Sequence, residues 1–381
     1  MCSIHAMTSP ILVRNAEGVM SGDSGRIRVG LIGYGYAGKT FHAPLIWAVP
    51  GLVLTTVGSS RPEVVRKDLG EVTVCSPMEV ATHPDVDLVV VASPNDSHCP
   101  LASAALRAGK DVVVDKPFTV SLAEARSLLQ IAEEEGRMIS VFHNRRWESE
   151  IQATRAVLQS GALGMVSHYE CHMDRYRPHV RQRWREDVGP GAGLWFDLGP
   201  HLIDQALYLF GLPQSISASF AVLREGGKTD DWAHVQLIYE RMRVILHASL
   251  LVSRGGPRSI VHGTRASWMK YGADVQETQL KDGMKPGSPG FGYDPDPGLL
   301  YDGETGRLTE IPAPVGNQQM YYMQIRDAIL GGQQASIPGI DAVAVMAVLE
   351  TTFQSAEQGR VLPLPLSQNE IAQWRRAHPV L

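Results

Sequence analysis

The chain has no uninterrupted apolar run of the roughly 18 residues that a membrane-spanning helix requires, so a helical membrane protein is not expected. It has no surplus of positive charge either. Against 35 Lys and Arg stand 40 Asp and Glu, a formal net charge of -5, with no basic stripe to grip nucleic acid. Cysteine is scarce: Cys2, Cys75, Cys99 and Cys171 are scattered and form no C-x-x-C pair, which suggests neither a disulfide framework nor a thiolate zinc site and fits a reducing cytoplasm. No internal repeat is visible. The first residues carry one short apolar run, Ile11 to Val13, with no basic region ahead of it, so they do not read as a secretory signal. Residues 1–25 are expected to be a poorly ordered leader, and a start at Met20 would cost the fold nothing. These absences leave a soluble cytoplasmic protein with small-molecule partners and neither nucleic acid nor membrane among them. At 381 residues and 44% hydrophobic composition, the chain is long enough for two domains.

What is present begins with a glycine turn. Ile27, Val29, Leu31 and Ile32 form a buried-strand pattern, Gly33, Gly35 and Gly38 follow as G-x-G-x-x-G through Tyr36 and Ala37, and Ala37 to Val49 has helical character. Between a strand and a helix this motif predicts dinucleotide binding. Gly33 permits the tight turn, Gly35 lets a pyrophosphate approach the backbone, Gly38 lets helix and strand pack closely, and the helix N-terminus offers N–H groups to phosphate. Apolar strands and helices then alternate. Leu52 to Val57, Asp87 to Ala92, Asp111 to Asp115 and Met138 to Phe142 read as strands, with helices at Cys99 to Ala108 and Ser121 to Glu135. The pattern predicts a doubly wound parallel sheet over residues 26–144. From about residue 145 strand follows strand: Val166 to Asp174, Ser215 to Val222, Ala233 to Tyr239, Val244 to Leu251 and Arg258 to His262. Helices are expected at Pro200 to Phe210, Gln318 to Leu330 and Asp341 to Gln358. Residues 145–381 are therefore expected to form an α+β substrate-binding and oligomerisation domain around an open, mainly antiparallel sheet. The Gly- and Pro-rich segment Lys281 to Gly306 is either a linker or a loop over the cleft.

A further absence bears on the nucleotide. In NAD-binding turns an acidic side chain roughly 20 residues beyond the glycines receives the ribose 2'-OH. Here no Asp or Glu occurs between Gly33 and Pro62, and the second strand ends at Ser59, Ser60 and Arg61. Two hydroxyls and a guanidinium suit a 2'-phosphate, which favours NADP over NAD.

Three stretches carry chemistry. Lys116 stands at the carboxyl end of a predicted parallel strand between Asp115 and Pro117, where its ammonium would stabilise negative charge on a reacting oxygen. Asp197 and His201 lie four residues apart at a predicted helix start marked by Pro200. His201 has the side chain to take a hydroxyl proton near neutral pH, and Asp197 would orient it. A helix cap and a buried hydrogen-bonded histidine account for the same pair, and Asp204 one turn on is a cap partner or a substrate contact. The third stretch ends a strand on which His168, Glu170, His172 and Asp174 share one face. Along a strand His168 and His172 are about 13 Å apart, too far for one ion, so no metal site is expected. Asp174, Arg175 and Tyr176 are candidate hydroxyl binders.

Together with Ser93-Pro94-Asn95 and His98, the Lys-Pro pair, Asn144-Arg145-Arg146 and D-x-G-x-H-x-x-D at Asp197 to Asp204, these stretches resemble the Gfo/Idh/MocA oxidoreductases from about Ile27 to Leu364. The Asp-Arg-Tyr-Arg-Pro stretch with Trp184-Arg185 and Gly193-Leu194-Trp195 is most similar to the NADP-dependent scyllo-inositol dehydrogenase branch. The resemblance implies a Rossmann domain plus an open-sheet domain, Lys116, Asp197 and His201 as catalytic residues, and homodimers or homotetramers formed through the sheet. It adds Trp195 to the substrate contacts, and Pro94, Asn95 and His98 to the nucleotide contacts, the last two near the nicotinamide. The family usually has Glu where this chain has Asp115. The expected activity is oxidation of a secondary alcohol on a cyclic polyol or sugar with NADP. An NAD-dependent glycoside hydrolase of the same family and a non-catalytic NADP sensor are the alternatives.

Overall fold

The structure, a computed structural model, describes residues 25–335 and 337–379, so the expected leader lies outside the described residues but for Gly25. Short apolar runs and the turns between them build the first half: β1 (Ile27–Ile32), α1 (Ala43–Trp47), β2 (Leu52–Gly58), α2 (Pro62–Leu69), β3 (Thr73–Cys75), α3 (Pro77–Ala81), β4 (Leu88–Val91), α4 (His98–Arg107), β5 (Asp111–Val114), α5 (Leu122–Glu134) and β6 (Ile139–Val141). Every residue of β4, β5 and β6 is buried, as strands covered on both faces must be. The strands are parallel in the order β3-β2-β1-β4-β5-β6, so the order reverses between β1 and β4 and a crevice opens beyond their carboxyl ends. Ser121 caps α5 by accepting the Glu124 N–H.

The second half contains α6 (Ser149–Ser160), β7 (Val166–Asp174), α7 (Leu194–Phe210), β8 (Ser215–Ala221), β9 (Trp232–Ile238), β10 (Arg243–Ser249), β11 (Ser259–Gly263), β12 (Ala266–Lys270), α8 (Gln276–Lys281), β13 (Gly298–Asp302), β14 (Leu308–Ile311), α9 (Gln319–Gly331), α10 (Gly339–Gln358), β15 (Leu362–Pro363) and α11 (Gln368–Ala377). Its sheet has the order β14-β13-β12-β11-β7-β10-β9-β8-β15. Among the described residues its strands pair antiparallel except β7 with β10, which pair parallel. Helices cover one face. Tyr169, Cys171 and Met173 of β7 are buried beneath them, while His168, Glu170, His172 and Asp174 alternate onto the open face. The apolar α10 packs against α5 and β6 on one side and α7 and β8 on the other, which locks the two sheets together.

Helix α7 starts earlier than its proline suggests. The Asp230 carboxylate accepts the Trp195 N–H at 2.7 Å and the Asp230 carbonyl accepts the Leu194 N–H at 2.9 Å, so donors at the helix start are satisfied six residues ahead of Pro200. Gly193, at φ +97°, is required there because a Cβ would lie 2.0 Å from the Asp230 Oδ1. Pro200 thus sits inside the helix, with Asp197 in its first turn and His201 one turn further on.

Candidate active site

A cleft of about 660 Å³ runs from the glycine turn to α7, a volume within the roughly 300–1,000 Å³ typical of small-molecule sites.

At its first end, Gly33 has φ +97°, and a Cβ on it would lie 2.4 Å from the Ala92 carbonyl. A Cβ on Gly38 would lie 2.0 Å from the Gly33 carbonyl, whereas one on Gly35 would meet nothing within 4 Å. Two glycines are therefore forced by backbone contact, and the third borders the open cleft. Helical N–H groups ahead of Lys39, whose own N–H reaches the Gly35 carbonyl at 3.0 Å, have no intrahelical acceptor and suit phosphate. Gly35→Leu is expected to change stability by no more than about 0.5 kcal/mol. It should nevertheless weaken nucleotide binding more than about tenfold, measured by titration of nucleotide fluorescence beside a thermal melt. Tyr36 and Ala37 line the cleft, the Tyr36 hydroxyl donating to Glu277 Oε1 at 2.5 Å.

Arg61 is brought beside the glycine turn. Its Nη2 reaches the Tyr34 carbonyl at 3.4 Å and its N–H donates to Ser59 Oγ at 3.1 Å, with Ser60 and Arg61 exposed at the carboxyl end of β2. Pro94 and Asn95 line the cleft past β4, and the buried Asn95 amide donates to the Gly191 carbonyl at 3.2 Å. His98 is buried below them. Its ring nitrogens lie 2.9 Å from the Pro117 and Ser93 carbonyls, so it ties two loops together and does not line the cleft.

Lys116 extends from the end of β5, and its Nζ donates to the Asp197 carboxylate at 3.0 Å and to the Asp197 carbonyl at 2.9 Å. Burial pushes the Asp197 carboxyl up, but Lys116, Arg185 and Arg175 outweigh it and hold the group well below the usual carboxylate range. The Asp197 carboxylate is thus turned to Lys116, and the expected hydrogen bond to His201 is not formed. His201 lines the cleft one turn on. Its Nδ1 is sealed from solvent without a partner among the described residues, which leaves Nε2 as the nitrogen open to the cleft. Burial, followed by the positive charges of Lys116 and Arg145, holds this imidazole well below its ordinary range and therefore neutral near pH 7. Asp115 lies beneath Lys116, accepts the Lys116 N–H at 2.7 Å, and faces His42 Nε2 at 3.8 Å.

Several expected substrate contacts are elsewhere. Trp195 is fully buried, donates from Nε1 to Thr352 Oγ1 at 2.8 Å and lies under Gly199, because two residues before Asp197 is about 200° around the helix. Asp204 is core: it binds Arg146 at 2.6–3.1 Å, and the same guanidinium reaches Asp341 at 2.7 Å. Of the β7 end only Arg175 lines the cleft; Asp174 points to the open sheet face and Tyr176 is exposed. Conversely, Phe41, Phe142, Asn144, Arg145, Glu277 and Lys281 line the cleft, as do Arg177, Arg181, Arg183 and Arg185. The last group was signalled by five arginines between residues 175 and 185, a density that a solvated loop does not need. Glu277 and Lys281 both stand on α8, and of the Lys281 to Gly306 segment only this first residue lines the cleft among the described residues.

Among the described residues no helix is long and apolar enough to cross a membrane, and Cys75, Cys99 and Cys171 are free. Two family models match the chain: the oxidoreductase family's NAD-binding Rossmann fold over residues 27–143, and the oxidoreductase family's C-terminal alpha/beta domain over residues 155–366. The uncharacterised oxidoreductase YdgJ of Escherichia coli strain K12 is 49% identical over 90% of this chain and 99% of its own. The scyllo-inositol 2-dehydrogenase (NADP(+)) IolW of Bacillus subtilis strain 168 is 34% identical over 89% and 96%. A solved oxidoreductase structure from Klebsiella pneumoniae, 52% identical, superposes with a TM-score of 0.88 over 93% of this chain and 99% of the other.

Proposed function

This chain belongs to the Gfo/Idh/MocA oxidoreductase family, and from that membership we propose that it reversibly oxidises a secondary alcohol of a cyclic polyol or sugar, scyllo-inositol-like, with NADP. The observation that carries the reading is the convergence of the glycine turn, Lys116 and a neutral His201 on one cleft. The residues present fit the nucleotide: the open side of Gly35 accommodates a pyrophosphate, and Ser59, Ser60 and Arg61 beside the turn suit a 2'-phosphate. When bound, NADP supplies the acceptor for the hydride that leaves the carbinol carbon. His201 Nε2 takes the hydroxyl proton, which balances the loss of hydride and leaves a ketone. Lys116 Nζ stabilises the negative charge that builds on the oxygen, and Asp197 holds that ammonium in place through its carboxylate and carbonyl. Arg175 is the substrate-side contact from β7, and Asn95 borders the nicotinamide half.

Arg61→Ala is expected to weaken NADP by about 10- to 100-fold, the loss of one charge-assisted contact, and to leave NAD nearly unchanged in equilibrium titrations. Equal weakening of both would remove Arg61 from the 2'-phosphate. The activity itself is tested by a panel of inositols and aldoses, assayed for reduction of NADP and, in parallel, NAD. Reduction of NADP by a cyclic polyol supports the reading. Nucleotide retained through purification with no net reduction, alongside glycoside cleavage, would point to the hydrolase instead.

A further inference from the structure

On the open face of the second sheet, away from the cleft, the register brings His172 of β7 opposite His247 of the parallel strand β10, and His247 opposite His234 of β9. Asp174 stands two residues beyond His172 on the same face. One ligand atom from each of His172, Asp174 and His247 falls within 4.8 Å of the others. We propose that His172, Asp174 and His247 form a divalent transition-metal site that takes Zn²⁺ with three protein ligands and water in the fourth position.

The distances favour an ion over a hydrogen-bonded cluster. His172 Nδ1 and His247 Nε2 each lie 3.6 Å from an Asp174 oxygen, longer than a hydrogen bond, and the buried Asp174 Oδ1 is left with no hydrogen-bond partner. Ligands held about 2.0–2.2 Å from a tetrahedral zinc lie about 3.3–3.6 Å from one another, so these two gaps match the required edge length. The third pair, the two imidazole nitrogens, lies within 4.8 Å. The tautomer is also arranged. The His172 Nε2–H donates to Glu170 Oε2 at 3.0 Å, which turns the lone pair of Nδ1 toward Asp174, the carboxylate–histidine support that metal-binding imidazoles use. Two nitrogens and one carboxylate select zinc over magnesium or calcium, which prefer oxygen throughout. His168 and His172 are too far apart along β7 to share one ion, whereas His172 and His247 stand opposite each other across paired strands.

The test is a zinc titration of the untagged full-length protein, followed by calorimetry and by metal content after dialysis, with cobalt as a second probe for its visible absorption. One zinc per chain is expected, with a dissociation constant of ~1 μM or tighter. His172→Ala, Asp174→Asn and His247→Ala should each weaken it more than about 100-fold, and Glu170→Gln about 10- to 100-fold. Unchanged nucleotide binding by each variant shows that it is folded, and His247→Gln replaces any that is not. No zinc in the wild type at this affinity, or zinc bound equally by wild type and all variants, overturns the site. Both readouts are independent of polyol oxidation, so failure here and failure of the proposed dehydrogenase activity are distinguishable.

Discussion

Replacing His201 with alanine is expected to lower turnover by about two or more orders of magnitude, the typical worth of a positioned general base, while leaving NADP affinity within about twofold. The separation follows from placement: His201 projects from the second turn of α7, across the cleft from the glycine turn that would carry the nucleotide. The pH profile sharpens the test. Because burial and the nearby cations depress the His201 pKa, its neutral, proton-accepting form persists below the ordinary imidazole value of about 6.5. In the wild type, kcat/KM should therefore fall on the acidic side only as pH drops well below that value, and the variant should lose this limb. The same sign governs stability. The unfolded imidazole gains its proton near pH 6.5 while the folded one resists, so the contribution of His201 is present above that pH and is lost as pH falls toward the depressed value. Near-normal turnover in the variant would remove His201 from the mechanism.

Lys116→Met is the second large effect, an expected loss of about 10²- to 10³-fold in kcat, comparable to removing one donor aimed at a developing oxyanion. The side chain is pre-positioned by two contacts to Asp197, at 2.9 and 3.0 Å, so it costs little reorganisation during reaction. Without the ammonium, Asp197 keeps Arg185 at 3.7 Å but loses the charge that contributes most to lowering its pKa, so its carboxyl should titrate closer to the ordinary range. Steady-state kinetics should show the loss in kcat with little change in nucleotide affinity. A variant that loses only KM for the alcohol would recast Lys116 as a binding residue.

The parts of this architecture that were legible in the sequence are those with local causes. Gly38 is demanded by contact with the Gly33 carbonyl within one turn, Gly33 has a positive φ, and the buried runs of β4 and β5 have few ways to fold. Lys116 is aimed by its place at a strand end. The misplacements arise where a contiguous motif was treated as one surface. Trp195 is on the opposite side of α7 from Asp197, and Asp204 is on the same side but about 10 Å further along the axis, where Arg146 receives it in the core. Strand alternation likewise carries Asp174 and Tyr176 away from Arg175. Contacts between distant segments left no local trace. Asp230 starts α7 from 35 residues downstream of Trp195, Glu277 meets Tyr36, and His247 comes to stand beside His172 only through sheet register.

Isotope transfer shows whether an alcohol carbon in this cleft gives its hydrogen to NADP. The polyol selected by the substrate panel, deuterated at its carbinol carbons, is incubated with enzyme and NADP, and the reduced nucleotide is recovered and analysed for deuterium. One deuterium at C4 of the nicotinamide per ketone formed is the predicted result; reduced nucleotide without deuterium, or a product that accumulates with no reduced nucleotide, would contradict it.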